Sequence, residues 1–332
     1  MQKQARIVGT GSYVPERVLS NADLEKMVET TDEWIVTRTG MKERRIARAD
    51  EFTSDMGLIA AQRALEKSGI GAEKLDMILC ATLTPDFLFP STACLLQARL
   101  NATHAAAVDI QAACTGYLYA LAQAKAYIES GMCQNVLVVA SEKLSSIVNY
   151  QDRNTCVLFG DGAAACVVSG EGAGLAIRDV YLGADGNLSE LIVLPAGGSR
   201  KPASTETVSG CEHYLQMEGK EVFKHAVRRM EAAARHCLER LSLPESAISW
   251  LIPHQANMRI IEAMAKRFEV PMERVFLTIH KYGNTSASSV GIALDELLST
   301  HQLSEGENLM LAAFGAGLTW GSSVLTWQGG KA

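Results

Sequence analysis

Three residues stand where strand-like runs give way to helix-like ones: Cys114 in "DIQAACTGYLYALAQAKAYIESG" (109–131), His254 in "ISWLIPHQANMRIIEAMAKRF" and Asn284 in "VFLTIHKYGNTSASSVGIALDELL". A sulfur at the entrance of a helix meets free backbone N–H groups and the positive end of the helix dipole, which favour thiolate over thiol. Such a thiolate attacks carbonyls and thioesters, and its own backbone N–H can face the oxyanion that forms. Ala112 and Ala113 leave room beside it. An imidazole N–H from His254 and an amide N–H from Asn284 could donate together to a thioester oxygen as it becomes an enolate. The carbanion would then attack an acyl group parked on Cys114, making a carbon–carbon bond. A hydrolytic alternative uses the imidazole to activate water and releases a free acid. No carboxylate stands at any of the three turns, which suits a step that expels CO2, because an anion there would oppose an arriving malonyl group. Taken singly, each residue has an ordinary alternative: a small buried hydrophobe, a structural histidine, an N-cap asparagine.

The elements that must position these residues alternate along the chain. Apolar, strand-like runs at 76–83, 105–110, 135–141 and 162–170 are separated by amphipathic helical stretches such as 53–69 and 115–129. Trp250–Ile252 reads as a buried strand ended by Pro253, and Asn257 as the N-cap of a helix with Ile261, Met264, Ala265 and Phe268 inward. A strand at 275–279 and a helix from about 286 or 288 flank Asn284. Buried strands alternating with helices indicate an α/β sandwich. "FGDGAAACVVS" (159–169) echoes "FGAGLTWGSSVLT" (314–326), so the chain is expected to double, with similar halves at 1–172 and 173–332. The polar segment 195–210 reads as a surface loop or flap.

The chain has 332 residues, 48% hydrophobic and 20% charged, with a net charge of −6, which fits a globular protein and argues against whole-surface nucleic-acid binding. No apolar run approaches the ~20 residues needed to span a bilayer, so no membrane association is expected and a cytoplasmic location is. The eight cysteines include no C-x-x-C pair, and the seven besides Cys114 read as reduced thiols, with no metal site. Neither a dinucleotide fingerprint nor a Walker motif is present: "GTGSYV" is not G-x-G-x-x-G.

The ordered set "IVGTGSYVPE", "TTDEWIVTRTGMKERRIA", "AACTGYLYAL", "FGDGAA", "EVFKHAV", "PHQANMRII", "GNTSASS" and "FGAGLTWGS" covers nearly the whole chain. It resembles the bacterial 3-oxoacyl-(acyl-carrier-protein) synthase III family of the thiolase superfamily. The resemblance implies a thiolase-like five-layered αβαβα fold of two similar halves and a homodimer. It also implies a ping-pong condensation that initiates fatty acid synthesis: an acyl-CoA, with acetyl-CoA the expected primer, acylates Cys114 and releases CoA. Malonyl-carrier then decarboxylates, with His254 and Asn284 on the thioester oxygen. The second oxyanion hole would combine the N–H groups of Cys114 and Ala316, where the family has glycine. Alanine keeps the donor but does not easily take positive φ.

By the same resemblance Trp34 stacks on the CoA adenine, Arg153 covers its other face, Arg38 lies near the nucleotide, and Met217, Gly219, Phe223 and Asn257 line the pantetheine tunnel. Phe89 would close the partner subunit's acyl pocket. An acidic carrier protein would dock on basic residues, with Arg259 and Lys224 the leading candidates and Lys220, Arg228 and Lys266 beside them. No resident cofactor is implied beyond the CoA and phosphopantetheine thioesters of the substrates. Related alternatives are a secondary-metabolite condensing enzyme, a thiolase, which would want a second late cysteine whereas the last here is Cys237, and a hydroxymethylglutaryl-type synthase, which would want a glutamate that 105–113 lacks. A cysteine thioesterase and a non-catalytic scaffold complete the set.

Overall fold

A computed structural model describes residues 3–329. Its principal sheet has nine strands: β1 (Arg6–Tyr13), β2 (Met77–Ala81), β3 (Ala106–Ile110), β4 (Asn135–Glu142), β5 (Gly162–Ser169), β6 (Gly174–Ala184), β7 (Ile248–Pro253), β8 (Asn308–Gly315) and β9 (Thr319–Gln328). The spatial order is β7-β8-β9-β6-β1-β5-β4-β2-β3. Two runs with the same logic meet at β1 and β6, where Arg6 pairs with Ala176 and Ile7 with Leu175. Each run pairs its first strand antiparallel with its last, the last pairs antiparallel with the strand before it, and the remaining pairs are parallel.

Six of its helices bear on the layers and the site: α1 (Asp32–Thr39), α2 (Thr53–Ser68), α3 (Gly116–Glu129), α4 (Gly219–Leu241), α5 (Met258–Arg267) and α6 (Ser288–Thr300). α2 covers the outer side of β1, β4 and β5, and α4 the outer side of β6, β8 and β9. Between the two runs lie α3, packed on β4 and β6, and α6, packed on β1, β5 and β7. This is the five-layered αβαβα arrangement that the motif set implied.

Composition explains which helices go inside. α6 buries Val290, Gly291, Ile292, Ala293, Leu294 and Leu297, leaving almost no polar face, as a helix enclosed between the two runs of strands requires. α4 is amphipathic, burying Val222, Ala226, Met230, Ala233, Ala234 and Cys237 while Lys220, Lys224, Arg228 and Arg240 face out. Gly291 lets α6 approach β5: a Cβ there would lie 2.6 Å from the Ala164 Cβ. No helix of the described residues is long and apolar enough to cross a membrane.

Most expected strands appear within two residues of their predicted bounds, but the strand expected at 275–279 does not. Only Val275 bridges, to Leu251, and Ile279–Tyr282 is a short helix. The buried Gln255 carboxamide oxygen accepts the N–H groups of Thr278 and Ile279 at 2.9 and 3.1 Å, drawing the backbone away from the ladder. The segment 195–210 is largely exposed, as expected, but carries a short helix, Thr205–Ser209, capped by Ser204.

Candidate active site

Cys114 follows β3 through a tight turn. Ala113 adopts φ 45°, and a single 3-10 turn, Ala113–Thr115, leads directly into α3. The end of β8 closes on this turn. A Cβ on Gly315 would sit 2.7 Å from the Cys114 nitrogen, so only glycine allows the approach. Thr115 Oγ1 lies 2.8 Å from Thr319 Oγ1, which in turn donates to the Ala316 carbonyl at 3.0 Å, tying the late glycine-rich loop to the cysteine turn. Positive φ in that loop falls on Gly317 (134°) and not on Ala316, so the alanine carries no strain.

His254 leaves β7 with its N–H on the Ala312 carbonyl at 2.8 Å. The imidazole is 2% exposed, and burial pushes its pKa down to about 3, so it is neutral at physiological pH. Its Nδ1 lies 2.6 Å from the Ser289 hydroxyl. Asn284 follows Gly283 (φ 64°) and is pinned by backbone bonds to Leu158 and Gly160 at 2.9 and 3.0 Å. Its Oδ1 accepts the Ser286 N–H at 2.8 Å, which leaves the amide NH2 as the outward-facing donor end.

The segment 284–289 has a link to each of the three. Asn284 begins it, the Ser286 side chain lies beside Cys114 closely enough to lower the thiol pKa, and Ser289 holds His254. Neither serine stood out in the sequence. Their only signal is their place in "GNTSASS", which periodicity treats as a helix start.

One expectation is corrected. The helix entrance does not make Cys114 a resting thiolate: although partly open to solvent, it is packed so closely that desolvation pushes the thiol up to about 12, assisted by the negative charge of Glu142. Desolvation outweighs the roughly half-charge of a helix end. A carboxylate therefore does reach the site, contrary to the reading of the three turns alone. Glu142 ends β4 and is fully buried, and the local sequence gives no sign that its strand end faces the cysteine.

Of the residues expected at the CoA site, Trp34, Arg38, Arg153 and Asn257 lie together. Arg153 and Arg38 place their guanidinium carbons 5.1 and 5.8 Å from the centroid of the half-buried Trp34 ring. Asn257 caps α5 and donates from Nδ2 to the Arg38 carbonyl at 3.2 Å. Met217 and Trp34 pack against the same hydrophobic cluster, while Gly219 and Phe223, at the start of α4, are exposed. Phe89 is 85% exposed on a loop with Phe87 and Leu88. Arg259, Lys220, Lys224, Arg228 and Lys266 are all exposed, but Lys224 is paired with Glu221 at 2.6 Å.

A buried cysteine at the turn after β3, a neutral imidazole at the end of β7 and a carboxamide pinned by backbone bonds, set in this layered sheet, fit an acyltransferase of the thiolase fold. Comparison with known sequences agrees. The pattern described as 3-Oxoacyl-[acyl-carrier-protein (ACP)] synthase III matches residues 108–186, and that of its C terminal matches residues 238–327. The chain is 59% identical to the beta-ketoacyl-[acyl-carrier-protein] synthase III of Chlamydia pneumoniae over 97% of each chain. Among solved structures, the 3-oxoacyl-[acyl-carrier-protein] synthase III of Aquifex aeolicus superposes with a TM-score of 0.90 at 47% identity, covering 97% of this chain and 100% of that one. A priming beta-ketosynthase from a polyketide biosynthetic pathway superposes with a TM-score of 0.91 at 35% identity, covering 99% and 98%. The chain belongs to the beta-ketoacyl-[acyl-carrier-protein] synthase III family.

Proposed function

We propose that this enzyme condenses an acyl-CoA primer, acetyl-CoA first among candidates, with malonyl-acyl carrier protein to give 3-oxoacyl-carrier, CoA and CO2 at the start of fatty acid synthesis. Cys114 carries the acyl group. His254 Nε2 and Asn284 Nδ2 donate to the malonyl thioester oxygen while CO2 leaves, and the N–H groups of Cys114 and Ala316 receive the oxyanion on the acyl carbon. The observation that carries this reading is the 284–289 segment, which joins the amide, the sulfur and the imidazole in one stretch of backbone.

Trp34, Arg38 and Arg153 form the platform for the adenine, and Met217, Gly219, Phe223 and Asn257 the wall of the pantetheine arm. Arg259 leads the carrier-docking surface, with Lys224 secondary because Glu221 already neutralises it. The working form is a cytoplasmic homodimer of chains built from halves 1–172 and 173–332. In support of dimerisation, the edge strand β3 leaves Val108 44% exposed, and the loop after β2 exposes Phe87, Leu88 and Phe89, apolar side chains that a second copy would cover. Phe89 then closes the acyl pocket of the partner subunit.

The test is acylation: incubation with a panel of acyl-CoA primers, mass spectrometry of the Cys114 peptide, and then malonyl-carrier with measurement of CO2 and product length. A 3-oxoacyl product with transient acyl-Cys114 supports the reading, whereas free acid without CO2 indicates a thioesterase. The likeness to the polyketide priming ketosynthase favours one second reading, the same chemistry with a longer or unusual primer, which the panel resolves.

A further inference from the structure

Glu142 is 0% exposed, yet only one of its oxygens is bonded. Oε2 accepts from Thr84 Oγ1 at 2.7 Å, from the Leu83 N–H at 3.1 Å and from Thr82 Oγ1 at 3.3 Å. Oε1 is enclosed without a hydrogen-bond partner, and so is the Ser286 hydroxyl. Ser286 is held at φ 51°, a left-handed conformation unfavourable for a serine, and its side chain borders both Glu142 and Cys114. The backbone places these groups together independently. A Cβ on Gly116 would meet Ala81 at 2.9 Å and Ala287 at 3.4 Å, so the start of α3, the end of β2 and the residue after Ser286 converge at one point. Two enclosed, unsatisfied polar groups beside a nucleophile cost stability that an ordinary core would not tolerate.

We propose that Glu142 is the proton acceptor for Cys114, acting through the Ser286 hydroxyl, and that it holds this proton for the life of the acyl-enzyme. The proposal rests on the acyl-Cys114 reading above. In the first half-reaction the Cys114 S–H proton passes to Ser286 Oγ as the Ser286 proton passes to Glu142 Oε1. The sulfur then bonds to the acyl carbon, the carbon–sulfur bond to CoA breaks, and the CoA thiolate takes a proton from solvent. In the second, the C–CO2 bond of malonyl breaks, its electron pair forms the bond to the acyl carbon, and the Cys114 sulfur leaves as thiolate. Glu142 returns the proton by the same path. The sum consumes one proton, the one now on CoA.

The arrangement removes an apparent conflict. An ionised Glu142 helps to hold Cys114 as a thiol at rest. Once the proton has moved, Glu142 is neutral and nothing there opposes the malonyl carboxylate. Burial pushes Glu142 up to about 7, so the protonated form is accessible near neutrality. The titratable side chains on which its charge acts are Cys114 and, on β2, the fully buried Cys80, whose thiol is raised in part by Glu142. Lys143, next in the chain, turns its ammonium to the carbonyls of Arg48 and Glu51 at 2.9 and 2.7 Å.

The experiment follows single-turnover acylation of Cys114 by acetyl-CoA and, separately, decarboxylation of malonyl-carrier without primer. It compares the full-length enzyme with Glu142→Gln, Glu142→Asp and Ser286→Ala. Acylation is expected to fall about 10²-fold in Glu142→Gln and Ser286→Ala, the usual contribution of a positioned base, while decarboxylation keeps the wild-type rate. Glu142→Asp recovers part of the acylation rate. The wild-type acylation rate rises through an apparent pKa near 7, and Glu142→Gln lacks that rise. Wild-type acylation in Glu142→Gln, or an equal fall of both steps in Glu142→Gln and Ser286→Ala, overturns the proposal. Should Glu142→Gln fail to fold, Ser286→Ala decides alone. If the wild-type enzyme takes no acyl group at Cys114, the condensing reading itself fails and this proposal with it.

Discussion

His254 Nδ1 and the Ser289 hydroxyl lie 2.6 Å apart inside the protein, and the same oxygen accepts the Gln255 N–H at 3.4 Å. A hydroxyl that accepts there has its own proton for Nδ1, which leaves the imidazole proton on Nε2, the tautomer that can donate to a thioester oxygen. Ser289→Ala removes one such bond, worth ~1 kcal/mol, and is expected to slow malonyl decarboxylation about fivefold to tenfold. Acylation of Cys114, followed by mass spectrometry, should stay near wild type. Equal losses in both steps would show that Ser289 serves the fold and not the tautomer.

The neutral, buried His254 makes stability depend on acid. Its pKa is about 3 in the fold against 6.5 when unfolded, so below 6.5 the unfolded chain binds the extra proton. The stability that this neutral group secures is complete above pH 6.5 and is lost as pH falls toward 3. Relative to His254→Gln, the wild-type enzyme is expected to lose on the order of 1 kcal/mol per pH unit across that window, read from urea midpoints. Parallel curves for the two proteins would contradict a buried, unprotonated imidazole.

Glu142 has the opposite sign. Its folded pKa of about 7 exceeds the ordinary 4.5, so the fold binds the extra proton between those values and stability is lost as pH rises through 7. Glu142→Gln is therefore expected to be more stable than wild type at pH 8, by on the order of 3 kcal/mol, and to lose that advantage by pH 4.5. Thermal melts at the two pH values check this. A variant that gains stability while losing acylation would mark strain kept for function.

Carrier docking separates two basic residues. Arg259 is exposed at the start of α5, whereas Lys224 already pairs with Glu221. Arg259→Glu is expected to raise the KM for malonyl-carrier about tenfold, with acylation by acyl-CoA unchanged, and Lys224→Glu to raise it no more than about threefold. Both effects should shrink in high salt, which screens exposed charge pairs.

Dimerisation is tested at the edge strand. Val108→Asp places a charge on the exposed face of β3 and is expected to shift the protein from dimer to monomer in sedimentation. Phe89→Ala should leave the dimer intact while lengthening the accepted primers in the acyl-CoA panel.

Local chemistry made much of this protein legible before any coordinates. The strand exits at Ile110 and Pro253, the Asn257 cap and the inward face of α5 follow from periodicity and capping, which operate over a few residues. The two Phe-Gly-x-Gly echoes announced a doubled chain, which the repeated strand order bears out. The expected strand at 275–279 failed because a side chain far back in the chain, Gln255, took the backbone donors that a ladder would have used.

Protonation states belonged to the tertiary structure alone. A helix entrance near Cys114 is written in the sequence, but the close packing and the charge that keep its proton come from chain segments brought together only by folding: β8 closes on it through Gly315, and β4 brings the Glu142 carboxylate. The same holds for His254, whose neutral ring and Ser289 partner are separated by 35 positions. Residue type sets which protons exist; burial and long-range neighbours decide where they reside.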